Sequence, residues 1–366
     1  MYARKTVVSL WLLWIGGMLV ASVAPHVLPE RYYRDAETIR DIQADRWPEG
    51  AVSFLRTAEA YGLLGFPHLW PEALVGPLGF TLAFAAVAFG ARLASAPWRP
   101  SAFLLLASWT LPIAIFFGQY SKEVFAIVFI AAILRLSTSA RGVLVAAALA
   151  LLYAGLFRHY WVIIVALWLT MLAGWRAGFR WRGMLVLAAL AVLSMSWASE
   201  LALDSYLSDG RTIIVTSPAY SDFDAATTFY NPLPNTSPLT DLFNTMVGWL
   251  TLILPVYLIA FGGVQHIAFA LFQFANAILF AKATRRLPRP APAPGLAPHD
   301  DRRAWQLASA ATWCAAYTIV QGMFEPDFGS FVKHVANLVP MLLFILAYIH
   351  SPERSQALHG EGRGRA

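Results

Sequence analysis

The chain has 366 residues, of which 58% are hydrophobic and only 13% charged, with a mean hydropathy of +0.57. Such a composition excludes an ordinary soluble domain, and apolar runs long enough to cross roughly 30 Å of hydrocarbon recur from end to end. The net charge of +6 and the pI near 9.5 would suggest nucleic acid in a soluble chain; here the basic residues crowd the connectors on one side of the apolar runs, which is the charge rule of membrane proteins, so no nucleic-acid partner is expected.

In chain order, the run after "MYARK" continues through "LWLLWIGGMLVASVA" without an Ala-x-Ala exit and reads as an uncleaved first span. Further spans are expected near 77–95, 102–118, 121–138, 142–157, 160–175, 183–203, 267–283, 304–324 and 335–350, the first lying near 6–25. The segment "VGWLTLILPVYLIAFGGVQHIAFALFQFANAILFAKATRR" is too long for one crossing and short for two. Residues 247–261, broken at Pro255 and closed by Gly262 and Gly263, therefore read as a re-entrant element. The expected fold class is all-α: a polytopic integral membrane protein with about ten transmembrane helices and one re-entrant element. Arg92, Arg99, Arg135, Arg141, Arg176, Arg180, Arg182, Arg285, Arg286, Arg289, Arg302 and Arg303 all fall in connectors of one side, which puts both termini in the cytoplasm.

Residues 1–350 form one membrane domain, with outer loops near 26–76 and 204–243, a proline-rich cytoplasmic tether over 284–303, and a disordered tail over 351–366. Within the first outer loop, "YRDAETIRDIQADRW" and "VSFLRTAEAYGLLGF" each read as a helix lying on the membrane, the second with Arg56 and Glu59 turned to water. Cys314 has no partner, so no disulfide framework exists.

A charge inside the bilayer costs at least about 2.5 kcal/mol and needs a partner or a wet cavity, so ionisable groups at span ends carry the functional information. Three constellations lie on the outer side. "GQYSKEVF" supplies Gln119, Tyr120, Lys122 and Glu123; "LFRHYW" supplies Arg158, His159 and Tyr160; "EPDFGSFVKH" supplies Glu325, Asp327, Lys333 and His334. Singly, each reads as an interfacial cap. Together, basic side chains gathered on the otherwise acidic face point to an anionic ligand, most simply a phosphate or pyrophosphate. In the first outer loop Asp35, flanked by Arg34, is placed to act as a general base on an acceptor hydroxyl. Tyr32, Tyr33, Trp47, Tyr160, Tyr220 and Tyr230 are candidates to stack on sugar rings, against a plain role as interface anchors. Asp222 and Asp224 form an Asp-x-Asp better explained by loop solvation than by a metal. The scattered histidines make no zinc pattern, no phosphate-binding Gly-rich loop is present, and no metal or cofactor is expected.

"SKE" opening a span, "RHYW" between two spans, and a glycine-bearing acidic connector leading into a basic pair and "LVP" together resemble the Wzy and EpsG-like bacterial surface-polysaccharide polymerases, within the class of membrane glycosyltransferases that use lipid-linked donors. The similarity spreads over most of the chain through short motifs. It implies a polyprenyl-pyrophosphate-linked oligosaccharide as donor, with Lys122, Arg158, His159, Lys333 and His334 on the phosphates and Asp35 or Glu325 as base. It also implies a multi-pass protein of the bacterial inner membrane, with membrane lipid and other polysaccharide-assembly proteins as partners. One departure is that 204–243 holds only Arg211, where many polymerases carry several arginines. Two other classes compete: a lipid-linked oligosaccharide flippase or transporter, which would show internal duplication and paired broken helices, and a membrane acyltransferase, for which His159 or His334 would serve.

Overall fold

A computed structural model of the chain describes residues 2–46, 52–93, 100–217, 227–285, 287 and 298–349. The regular structure of the described residues is all helical, with no strand beyond an isolated bridge between Thr228 and Asp327. Five helices are long and apolar enough to cross a membrane: Thr6–Val27, Glu72–Gly90, Pro100–Phe117, Trp181–Leu203 and Phe328–Tyr348. The proline-rich segment, except for its ends, and the tail over 351–366 lie outside the described residues, as do Trp47, Tyr220, Asp222 and Asp224.

One core forms where α1 (Tyr2–Val27), α4 (Val75–Gly90) and α5 (Pro100–Phe117) pack together. Small residues allow the approach: a Cβ on Gly79 would lie 2.4 Å from the Phe117 carbonyl oxygen. Trp14 Nε1 donates to Thr81 Oγ1 at 3.1 Å, so the indole crossing between α1 and α4 keeps no unmet donor.

The second core gathers α6 (Lys122–Leu136), α7 (Ala140–Leu156), α8 (Trp161–Arg176) and α9 (Trp181–Leu203) around α14 (Pro298–Phe324). Trp161, Trp168 and Trp313 meet edge to face inside it, with ring centroids 5.5 Å and 5.0 Å apart for the pairs made by Trp313. Helix α14 mixes alanine, serine, threonine and tryptophan and is buried along most of its length. It is enclosed by protein, which is why its own hydropathy is modest.

The two helices read from the first outer loop form as α2 (Arg34–Gln43) and α3 (Val52–Leu63), with Arg56 and Glu59 exposed and paired at 2.7 Å. They pack on each other and on Tyr120 through Ala36, Ile39, Ala58, Tyr61 and Phe66. They form a helical hairpin that caps the bundle. The segment between α9 and α11 (Pro238–Ile253), where described, carries α10 (Asp209–Thr216). The chain breaks at Leu254 and Pro255, resumes as α12 (Val256–Ala260), and turns at Gly262 (φ 71°) into α13 (Val264–Thr284). The break falls where Pro255 predicts it, since proline cannot donate to the preceding turn. The segment expected to connect the last two spans is instead helical: α15 (Phe328–Val335) runs through one 3-10 turn into α16 (Val339–Ile349).

Candidate functional site

Ser121 adopts an extended conformation and its side chain accepts from the Glu123 amide at 3.2 Å, which starts α6 at Lys122. Lys122 and Glu123 thereby enter the first helical turn, where a carboxylate is favoured by the unpaired amides of the helix start. The Ser121 amide itself donates to Tyr61 Oη at 3.1 Å, and Gln119 Nε2 donates to the Tyr32 carbonyl at 3.0 Å. These bonds fasten the α2–α3 hairpin over the turn that begins α6.

Arg158 lies in the tight turn between α7 and α8, and its side chain is 8% exposed. It points into the bundle toward Glu123, which is fully buried, and Nη2 donates to Glu123 Oε1. Nη1 donates to Tyr160 Oη at 2.5 Å and lies 2.7 Å from His334 Nε2. The other Glu123 oxygen accepts from Asn337 Nδ2. His334 Nδ1 meets Glu325 Oε1, while its Nε2 lies 3.3 Å from Glu123 Oε1. Because a guanidinium only donates, the contact with Arg158 makes Nε2 an acceptor and puts the imidazole proton on Nδ1, facing Glu325.

Two further cations border this network. Lys333 pairs with Asp35, which joins the last helix to α2. Burial raises the proton affinity of Asp35, but Lys333 and then Lys122 outweigh it and hold the carboxyl well below the usual carboxylate range. Lys122 Nζ sits 3.3 Å from the centroid of the Phe54 ring on α3. A cation over an aromatic face is attracted by about 0.5–2 kcal/mol and still has donors to offer. Glu325 Oε2 and Arg158 Nε are buried with no hydrogen-bond partner.

The spacing of α15 explains why these groups face inward. Asp327 caps the helix by accepting from the Ser330 amide at 2.9 Å, and Phe328, Phe331 and Val335 bury one side. Lys333, His334 and Asn337 then share the other side at helical spacing. The segment between α10 and α11 docks at the same place: the Phe229 amide donates to the Pro326 carbonyl at 3.1 Å, and Phe229 packs on Phe328. Arg211, 1% exposed, lies behind it, donating to Asn231 Oδ1 at 3.0 Å and stacking on Phe229 at 4.7 Å. Burial pulls its guanidinium down to about 10 against the attraction of Glu325 and Asp241, so it stays charged at neutral pH.

Of the residues singled out from the sequence, Asp35, Lys122, Glu123, Arg158, Tyr160, Glu325, Lys333 and His334 come together. His159 is exposed, Arg34 is exposed at the start of α2, and Asp327 serves as a helix cap. Asn337, and Tyr317 at 3.5 Å from its amide nitrogen, were not anticipated. The signal for Asn337 was available, since it is the lone polar side chain between Val335 and Pro340. Asn235, which opens the triplet Asn-Thr-Ser, has its amide engaged by Ser208 Oγ at 2.9 Å and Asp209 Oδ1 at 2.5 Å, so it serves the loop's internal packing. Among the described residues, no group of three His, Cys, Asp or Glu side chains is arranged to hold a metal ion.

Fold and site together define a class: an all-helical protein with helices suited to a membrane and a buried network of ion pairs at one end of the bundle. No protein-family model, curated protein or solved structure matches the chain.

Proposed function

We propose that the chain is a membrane glycosyltransferase of the surface-polysaccharide polymerase type, which transfers glycan from a polyprenyl-pyrophosphate-linked oligosaccharide to an acceptor hydroxyl at the outer face of the bacterial inner membrane. The observation that carries the reading is the convergence of Lys122, Arg158, Lys333 and His334, from three separate parts of the chain, around the carboxylates of Asp35, Glu123 and Glu325. In this reading α6, α7, α8, α13 and α14 join the five long apolar helices to give about ten crossings, and the charge rule turns the arginine-rich end to the cytoplasm.

The reaction forms a bond between the acceptor oxygen and the anomeric carbon and breaks the bond from that carbon to the lipid pyrophosphate. Negative charge builds on the departing pyrophosphate, so cations fixed beforehand at its position lower the barrier. Lys122, whose ammonium rests on a ring rather than on a carboxylate, is the cation most available to it. Glu325 is better suited than Asp35 to take the acceptor proton. Its Oε2 is free to accept a hydroxyl, whereas Asp35 is tied to Lys333 and made a weaker base by it. His334, proton toward Glu325, orients that carboxylate. The chemistry needs no metal or redox cofactor; its partners are the lipid-linked oligosaccharide, membrane lipid and other polysaccharide-assembly proteins.

An acyl transfer assisted by the same His334–Glu325 pair is the second reading. The surface polysaccharide of a strain lacking the protein separates the classes. Single-repeat caps support a polymerase, complete polymer missing one sugar a single-sugar transferase, full-length polymer lacking an acyl group an acyltransferase, and lipid-linked precursor held in the cytoplasmic leaflet a flippase. Complementation with Arg158→Lys, which keeps a charge opposite Glu123 but loses the planar fork, is expected to restore protein level and not polymer. Full-length polymer from that variant would remove Arg158 from the mechanism.

A further inference from the structure

Helix α3 crosses the start of α6: Phe54 lies against Lys122 Nζ, and Tyr61 Oη receives the Ser121 amide. The apolar side of α3, with Ala58 and Tyr61, packs on α2 and Tyr120, so this helix lies on protein rather than on lipid. The chain then turns through residues 64–71 before α4 begins. Four backbone hydrogen bonds build that turn. The Gly65 amide donates to the Gly62 carbonyl at 2.9 Å and the Phe66 amide to the Tyr61 carbonyl at 3.0 Å, while the Leu69 and Trp70 amides both donate to the Gly65 carbonyl, at 2.7 Å and 3.3 Å. Gly65 takes φ 92°, a left-handed conformation that glycine enters without a Cβ clash. Phe66 roots the turn, with its ring 6.3 Å from those of both Tyr61 and Tyr120.

So well bonded a turn nevertheless leaves large apolar side chains uncovered. Leu63 is 90% exposed and Leu69 78% exposed, and Leu64 and Trp70 are exposed beside them in sequence. Apolar side chains grouped in this way mark a surface that something covers. The exposed surface runs on into α4, where Leu74, Leu78 and Leu82 recur at every fourth residue along the exposed side. Phe80, Ala83, Phe84 and Val87 bury the other side of α4. Since α4 belongs to the apolar stretch Glu72–Gly90, long enough to cross a membrane, its exposed leucines face hydrocarbon. Continuity assigns the same occupant to the turn. The nearby charges do not oppose it: Arg56 pairs with Glu59 at 2.7 Å, and Arg40 Nε lies 3.8 Å from Glu72 Oε2. Trp70, apolar in body with one N–H to offer, suits the headgroup layer.

We propose that the turn between α3 and α4 inserts Leu63, Leu64, Leu69 and Trp70 into the adjoining membrane leaflet, so that lipid holds the α2–α3 hairpin down over the ion-pair network. The hairpin carries Asp35, the partner of Lys333, and Phe54, the ring beneath Lys122, so the membrane contact bears directly on both cations. The inference rests on the membrane placement of α4 and is independent of the glycosyltransferase reading.

The purified full-length protein is spin-labelled at single introduced cysteines in nanodiscs of phosphatidylcholine with phosphatidylglycerol; Cys314 is buried, and the wild type is the labelling control. Relaxation of the label by oxygen, which concentrates in hydrocarbon, is compared with relaxation by a water-soluble nickel chelate. Labels at Leu63→Cys and Leu69→Cys are expected to respond to oxygen, as is the label at Leu82→Cys on α4. The label at Glu37→Cys, exposed on α2, is expected to respond to the chelate. A water-exposed label at Leu82→Cys would remove the membrane placement of α4 and the inference with it. Leu82→Cys in lipid, with Leu63→Cys and Leu69→Cys as open to the chelate as Glu37→Cys, would overturn the insertion alone. Shielding of both turn positions from both reagents would give the surface to a second copy of the chain and overturn it equally. Leu69→Ser supplies a second measurement, because a side chain this exposed loses almost nothing on replacement if water surrounds it. In nanodiscs the variant is expected to speed hydrogen exchange in α2 and α3 several-fold and to leave α14 unchanged. Exchange equal to wild type in the hairpin would show that lipid does not hold it down.

Discussion

Replacing Glu123 by glutamine removes one charge from a fully buried position and keeps the side-chain shape. Glu123 Oε1 receives Arg158 Nη2 and Oε2 receives Asn337 Nδ2, so both of its partners are donors. An amide must present its NH2 to one of them. Asn337 can turn to meet it, because its Oδ1 has no partner now and would accept from the new NH2. The hydrogen bonds are thus recoverable and the charge is not: Arg158, 8% exposed, keeps a buried positive charge without its counter-ion. Removing one partner of a buried pair costs about 3–5 kcal/mol, and replacing both by apolar side chains is often close to neutral. Glu123→Gln is therefore expected to lose about 3 kcal/mol, and Glu123→Gln with Arg158→Met to recover most of it. Denaturant unfolding of the purified protein in one detergent measures both. A single variant losing less than about 1 kcal/mol, or a double variant no more stable than the single, would refute the buried pair.

Asp35 makes a pH prediction with a definite sign. Its folded value lies below the unfolded value of about 3.9, so the Asp35–Lys333 tie contributes above that value and is lost as pH falls through the folded one. Hydrogen exchange in α2 is expected to show unchanged protection between about pH 5 and 9 and weakened protection throughout for Asp35→Asn; protection already falling at pH 6 in the wild type would contradict it. Where α11 crosses α14, a Cβ on Gly322 would lie 2.7 Å from the Trp249 amide nitrogen, so Gly322→Ala must push two helices apart. A loss of about 1–3 kcal/mol is expected in the same unfolding measurement, and none would mean the crossing is looser than described.

Much of the site was legible because the membrane leaves ionisable groups few choices. Lys122 and Glu123, Arg158, and Lys333 and His334 sit at ends of apolar runs, where each needs a partner; the structure pairs Glu123 with Arg158 and His334, pairs Lys333 with Asp35, and sets Lys122 against the Phe54 ring. What the sequence does not reveal is which member of an adjacent pair turns inward. Arg158 and His159 are neighbours in one tight turn, yet the first is buried and the second exposed. Asp327 carried a different meaning from the one assigned: followed three residues later by Ser330, it has the position of a helix cap, and that role uses its side chain. The path of the last span was also obscured. Gly329 and four ionisable residues make 325–334 look like a connector, whereas the alternation of Phe328, Phe331 and Val335 with Lys333 and His334 is that of a helix with one apolar side.

The central claim is that cations from distant parts of the chain serve one anion. Titration of inorganic pyrophosphate into the purified protein at low salt, comparing wild type with Lys122→Gln, tests it most directly. Lys122 rests on Phe54 without a carboxylate contact, so its loss leaves the Glu123–Arg158 and Asp35–Lys333 pairs standing. The account predicts saturable binding to wild type, weakened at least tenfold by Lys122→Gln at unchanged unfolding temperature, about 1.4 kcal/mol. Equal affinity in the two proteins, or no binding to either, would contradict it.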